Sequence, residues 1–234
     1  MNHTKIPRTR DFFNSLLGRP EDDFTNTFTA RLLLLLESCS LIGEDVYRDA
    51  ADEVIAAYWQ EYQKHSETFM PAFLANDILR LWRTFCVNYE AFTDREPDDE
   101  RAKRKVQHYK LKHSRLMTCY SAILYLLFIY RKNKTVTPAD AMKMFSTSPT
   151  HRIEDMAADA YLAAKAVSTL HDLLAQYEKF LVATNVSEKD LKLRFLDPEE
   201  NQKLKDESRA FGNLMFDALE TIGNGSPFHR MLVV

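Results

Sequence analysis

Two residues in the stretch "RAKRKVQHYKLKHSR" have the types and spacing for cleaving RNA without a metal. Arg101 and His108 are seven positions apart, which is two helical turns, so on a helix they share a face. A histidine can act as the base at a 2'-hydroxyl while an arginine stabilises charge on the phosphate. The pair sits at the start of a helix after a polar turn, where phosphate is favoured. The alternative is ordinary: such Arg–His pairs also arise in any lysine-rich run.

The same helix carries a second kind of chemistry. Arg101, Arg104, His108, Lys112 and Arg115 fall on one stripe roughly 80° wide, which continues as Cys119, Ala122 and Leu126. A basic stripe running into a core seam is expected to line a groove. Lys110 and Ser114 project elsewhere on the wheel. The preceding stretch "NDILRLWRTFCVNYE", residues 76–90, is apolar over one broad arc and places Asn76, Arg80, Arg83 and Thr84 on the other, with Asp77 at its edge. Two readings stay open. Asp77 pairs with Arg80 at i,i+3 on a solvated face, or Arg80, Arg83, Arg104, Lys110, Lys112 and Arg115 form an electropositive surface that holds phosphate. Arginine is almost never buried unpaired, so Arg80 or Arg83 is expected to be buried against a carboxylate, Asp77 being nearest. Asn76 and Asp77 then belong to a structural polar network.

Other chemistries lack their residues. There is no GxGxxG, no P-loop and no clustered Cys/His set, so neither a cofactor nor a metal site is expected. His113 and Ser114 are adjacent and diverge on a helix, which removes a Ser–His dyad. His65, His151, His171 and His229 have no partners at ligand spacing and read as surface or core residues. Trp59, Tyr62, Trp82, Tyr89 and Phe92 read as core aromatics.

Positioning these residues falls to helices. The chain has 234 residues, 45% hydrophobic and 28% charged, enough for a sizeable core. A net charge of -3 supplies no global attraction to nucleic acid or membrane, so RNA or DNA would have to meet a local patch. Cys39, Cys86 and Cys119 lie in apolar runs without metal spacing and read as reduced core thiols of a cytoplasmic protein. The start "MNHTKIPRTRDFF" contains no apolar segment of the kind that signal peptides use. The run "LMTCYSAILYLLFIY", residues 116–130, is shorter than the roughly 20 residues that span a bilayer and reads as a central helix.

The chain has only five glycines and no sustained alternation, which predicts an all-α fold. Thr137 with Pro138 and Asp140, Ser148 with Pro149, Ser187 with Asp190, and Asp197 with Pro198 are helix starts. Helices are predicted near 9–18, 25–38, 45–66, 71–91, 99–131, 138–146, 150–183, 188–195 and 199–222. The pattern from Ile153 to Leu181 predicts one stripe about eight turns long. Long helices and short connectors imply an antiparallel bundle forming one domain over 1–234, with residues 1–22 loosely attached and 223–234 a tail. Helices 71–91 and 99–131 should lie antiparallel across the acidic turn "FTDREPDDE".

"FLANDILRLWRTFCVNYE" followed by "KLKHSR" resembles the helical region that accompanies nucleotidyltransferase-like domains in bacterial proteins. Such regions are distantly similar to HEPN-type bundles of toxin–antitoxin and defence systems. Asn76, Asp77, Arg80, Trp82, Arg83 and Thr84, then Lys110, Leu111, Ser114 and Arg115, carry the resemblance; "TARLLLLLES" and "STSPTHRIE" extend it over 29–154, and "FHRMLVV" adds to it. The family's Arg-Asn pair is replaced by Gln107 and His108. Residue 102 is Ala, where an active HEPN site carries a polar side chain. A nucleotidyltransferase motif, Gly-Ser with a spaced Asp-x-Asp, is absent. The resemblance implies a HEPN-like core and a nucleic-acid- or nucleotide-binding regulatory subunit. Its partner would be a nucleotidyltransferase-like or other defence enzyme. A ribonuclease using Arg101 and His108 across a homodimer, and a purely structural partner protein, are the alternatives.

Overall fold

The structure, a computed structural model, describes residues 16–90 and 98–232. Among them there is no strand, and helices follow one another from α1 (Pro20–Phe24) and α2 (Thr27–Glu37) through α3 (Glu44–Tyr58) and α4 (Ala72–Glu90). Helix α5 (Asp98–Lys110) passes through a π-helical turn, Leu111–Arg115, into α6 (Leu116–Asn133). Then come α7 (Pro138–Ser146), α8 (Pro149–Ala157), α9 (Ala164–Thr184), α10 (Glu188–Leu196), α11 (Pro198–Gly223) and the short α12 (Pro227–Arg230). Most of the helix expected at 9–18 lies outside the described residues, as do residues 92–97 of the acidic turn.

Helix α6 is the axis. From Leu116 to Tyr130 every residue but the half-buried Tyr120 is buried, as expected of a central helix. Helices α4, α8 and α11 pack around it. Trp82 meets Tyr120 edge-on at 6.0 Å, while Arg115 lies over Phe85 at 5.0 Å, so α4 and the α6 segment run in opposite senses along their contact. Leu32, Leu35, Ile78, Leu81, Ile153, Leu170, Phe211, Met215 and Phe228 complete one core. Each such side chain contributes about 1.5–3 kcal/mol on burial. A smaller cluster of Val106, Tyr109, Phe180, Leu191, Phe195 and Leu204 joins α5 to α9, α10 and α11.

The helix starts behave as their sequences dictate. Thr137 and Asp140 form a reciprocal capping box with Pro138 at the first position. Ser148, Ser187 and Asp197 each accept a backbone N–H through their side chains.

Four features differ from expectation. Helix α3 stops at Tyr58 because Trp59 turns inward and donates its indole N–H to the Val136 carbonyl at 2.9 Å. The single helix expected over 150–183 is two helices. At the break Asp159 accepts the Tyr161 N–H at 2.9 Å and binds Lys132 at 2.5 Å, and α9 folds back on α8. Tyr161 and Leu181, expected on the buried stripe, are therefore exposed. Cys39, expected in the core, is exposed past the end of α2; Cys86 is half-buried and Cys119 buried. The C-terminal segment expected as a tail packs on the core through Phe228 and Leu232. A Cβ on Gly223 would sit 2.8 Å from the His229 ring, so this close approach requires glycine.

Candidate functional site

The stretch 76–90 does structural work at its first turns. Asn76 donates to the Ala72 and Met231 carbonyls, each at 2.9 Å, and so clasps the C-terminal segment. Asp77 is buried. It accepts from Tyr58 at 2.7 Å and from Arg80 at 3.4 Å, so the expected i,i+3 pair is present. Arg80 is nevertheless only half-covered, its side chain 37% exposed, with its guanidinium stacked 3.6 Å above Phe28. Arg83 is exposed. The buried arginines are others: Arg31 at 0% and Arg152 at 1%.

Arg31 belongs to this network. It grips Asp22 through two bonds, at 3.1 and 2.6 Å, donates to Tyr58 at 3.3 Å and lies 3.9 Å from Asp77. Burial lowers its pKa, but the hydrogen bond to Asp22 and the charges of Tyr58 and Asp22 more than offset that and leave it above the ordinary value. Burial pushes the Asp77 carboxyl up against the opposing pull of Tyr58, Arg80 and Arg31. Nothing in "TARLLLLLES" distinguishes this arginine as paired, because Asp22, Tyr58 and Asp77 lie 9, 27 and 46 residues away in sequence.

Arg152 is satisfied differently. Its Nε donates to the Met144 carbonyl at 2.7 Å, and Nη1 donates to the Thr118 carbonyl at 3.4 Å and the Ser121 hydroxyl at 3.2 Å. Among the described residues no carboxylate pairs with it. Burial lowers its pKa to about 10, which leaves it charged at neutral pH. It forms part of the floor of a groove of about 1020 Å³. Lys110, Ser114 and Arg115 line one wall, and Ser148 and Pro149, the start of α8, line another. Leu36, Glu37 and Cys39 close one side, and Tyr177 and Phe180 supply apolar surface. Arg115 is ion-paired to Glu37 across the groove.

The π-helical turn explains why the basic stripe does not stay together. An extra residue in that turn advances everything after it by up to about 100° relative to an ideal wheel. Lys110 and Arg115 face the groove, whereas His108 and Lys112 face a separate pocket between α5 and α11. Arg101 is exposed and Arg104 half-buried, and neither lines either cavity. Arg101 and His108 therefore do not share either of these two cavities. His108 is half-buried, and burial together with the Lys112 charge lowers its pKa to about 4. His113, inside the π-turn, is buried between the rings of Phe180, at 4.6 Å, and Phe211, at 4.9 Å; its Nδ1 bonds the Tyr109 carbonyl at 2.8 Å. Burial lowers its pKa to about 4 as well, so it is a neutral core residue.

Trp59 is buried, and Tyr62 and Trp82 are half-buried against the core, while the side chains of Tyr89 and Phe92 lie outside the described residues. Among the described residues no group of three or more His, Cys, Asp or Glu side chains is placed to hold a metal, and no helix is long and apolar enough to cross a membrane. No family model, no curated protein and no solved structure matches the chain.

Proposed function

We propose that the protein is a non-catalytic binding module that holds a phosphate-bearing ligand, a nucleotide or a nucleic-acid strand, in the Arg152 groove. The observation that carries this reading is a buried, charged guanidinium with only neutral acceptors, among the residues that line a groove of about 1020 Å³. A buried charge without a counter-charge is costly, and an anion in the groove removes that cost. Lys110, the serines of the rim and the start of α8 add donors and positive potential there. The volume suits a ligand of nucleotide size.

The segments "TARLLLLLES", "KLKHSR" and "STSPTHRIE" all contribute to this one groove, through Leu36–Ser38, Lys110, Leu111, Ser114 and Arg115, and Ser146–Pro149 with Arg152. That convergence supports reading the bundle as HEPN-like and antiparallel. It also supports a role as the helical regulatory partner of a nucleotidyltransferase-like enzyme in bacterial defence or toxin–antitoxin systems. Cleavage by Arg101 and His108 draws less support. A general base works best with a pKa near the working pH, and His108 is far below it.

The test is binding of single-stranded RNA and of ATP to the wild type and to Arg152→Gln, read by fluorescence anisotropy and calorimetry. Removing the charge should weaken binding by about tenfold or more, equivalent to about 1.4 kcal/mol. Equal affinities in the two proteins would overturn the reading. His108→Ala should leave groove binding unchanged.

A further inference from the structure

The face of α5 turned away from the groove meets α11 around a second cavity, of about 270 Å³. Lys105, Lys112, Lys205 and Arg209 surround it, with His108 between them. Four permanent positive charges thus share one small space, and no carboxylate lines it. One of the four already has a counter-charge, and a second acid is held by a lining tyrosine. Asp206 accepts from Arg209 at 3.2 Å and from Gln202 at 3.1 Å, and Glu207 accepts from the Tyr109 hydroxyl at 3.2 Å. Lys105, Lys112 and Lys205 remain without a carboxylate in the lining, and like charges around one cavity repel.

A second observation is independent of charge. The amide oxygen of Asn201, which lines this cavity, is buried and has no hydrogen-bond partner. Such a group costs about 1–3 kcal/mol if left unsatisfied. Turned over, the same amide would offer its N–H groups to a phosphate oxygen, the two orientations differing only in the hydrogen-bond network they serve.

We infer that this pocket is a second anion site, which takes one phosphate group between Lys105, Lys112, Lys205 and Arg209. Its volume falls below the range of pockets that enclose whole nucleotides. The ligand is therefore a small phosphate species or a single backbone phosphate of a strand whose remainder lies outside. The site does not rest on the Arg152 groove, since α5 separates the two.

Inorganic pyrophosphate and a single-stranded oligonucleotide are the two probes, each titrated by calorimetry into Arg152→Gln protein, so that the groove is already disabled. The second variant adds Lys112→Gln and Lys205→Gln, two exposed positions whose replacement leaves the core intact. The expected result is binding that this variant weakens about tenfold or more. Under saturation the His108 ring resonances should also titrate at a higher pH, because an anion offsets Lys112. Pyrophosphate alone doing this identifies a free phosphate ligand. The oligonucleotide alone, with a salt slope reduced by about one per lysine removed, identifies a strand backbone. Absence of binding by both probes, or binding that the lysine replacements leave unchanged, would overturn the site.

Discussion

Arg31 and Arg152 are buried to the same degree, at 0% and 1% exposure, in surroundings of opposite character. Around Arg31 the charges balance. Asp22 and Asp77 face Arg31 and Arg80, Tyr58 bridges Arg31 to Asp77, and Thr27 also donates to Asp22. Around Arg152 there are two carbonyls and a hydroxyl and, among the described residues, no carboxylate. The first arrangement ties α1, α2, α3 and α4 together. The second leaves a charge facing a groove. Burial alone does not separate structure from binding; the nature of the partner does.

Removing one partner of the closed network is the most damaging way to test that contrast. Asp22→Ala leaves Arg31 buried without its bidentate acceptor and should cost about 3–5 kcal/mol in urea unfolding. A loss under about 1 kcal/mol would mean that Arg31 reaches water, and the contrast with Arg152 would vanish.

His113 offers a third answer to burying a base, which is to discharge it. Its folded-state pKa is about 4 against an ordinary 6.5, so between those values the unfolded chain binds more protons. Its contribution to stability is therefore complete above pH 6.5 and is lost as pH falls towards 4, by an amount on the order of 3 kcal/mol. His113→Phe should flatten this acid loss in pH-dependent unfolding. His108 leaves a residual slope of the same sign. Asp77, whose carboxyl is pushed up, acts in the opposite direction. An unchanged slope in His113→Phe would show that the ring is protonated in place.

The smallest expected effect is on Arg152 itself. Arg152→Met removes a desolvated charge but leaves the Met144 and Thr118 carbonyls unpaired, so the net cost should stay near 1–2 kcal/mol. Thermal unfolding decides this. A loss as large as that of Asp22→Ala would make Arg152 a structural residue like Arg31.

Much of the helical scaffold was legible. Thr137, Ser148, Ser187 and Asp197 mark their helices because a cap acts within one turn. The apolar run 116–130 announced a central helix. The candidate site was legible only in pieces. Lys110 and Arg115 were expected to hold phosphate, but the wheel placed Arg115 with His108 because it carried no π-turn. Arg152 was quoted inside "STSPTHRIE" without a role, since its Met144 and Thr118 acceptors become visible only when α6, α7 and α8 meet.

The sequence by itself determined the all-helical class, the positions of the caps and the central helix, for these follow from interactions a few residues long. Tertiary structure alone decided which arginines are buried, where the long stripe after Ile153 breaks, and which basic residues share a cavity. Those outcomes depend on groups brought together from distant segments: Asp22 with Arg31 and Asp77, Lys132 with Asp159, Lys110 with Arg152. A charge is stable inside a protein only through partners at hydrogen-bond distance, and local sequence does not encode which distant partners arrive.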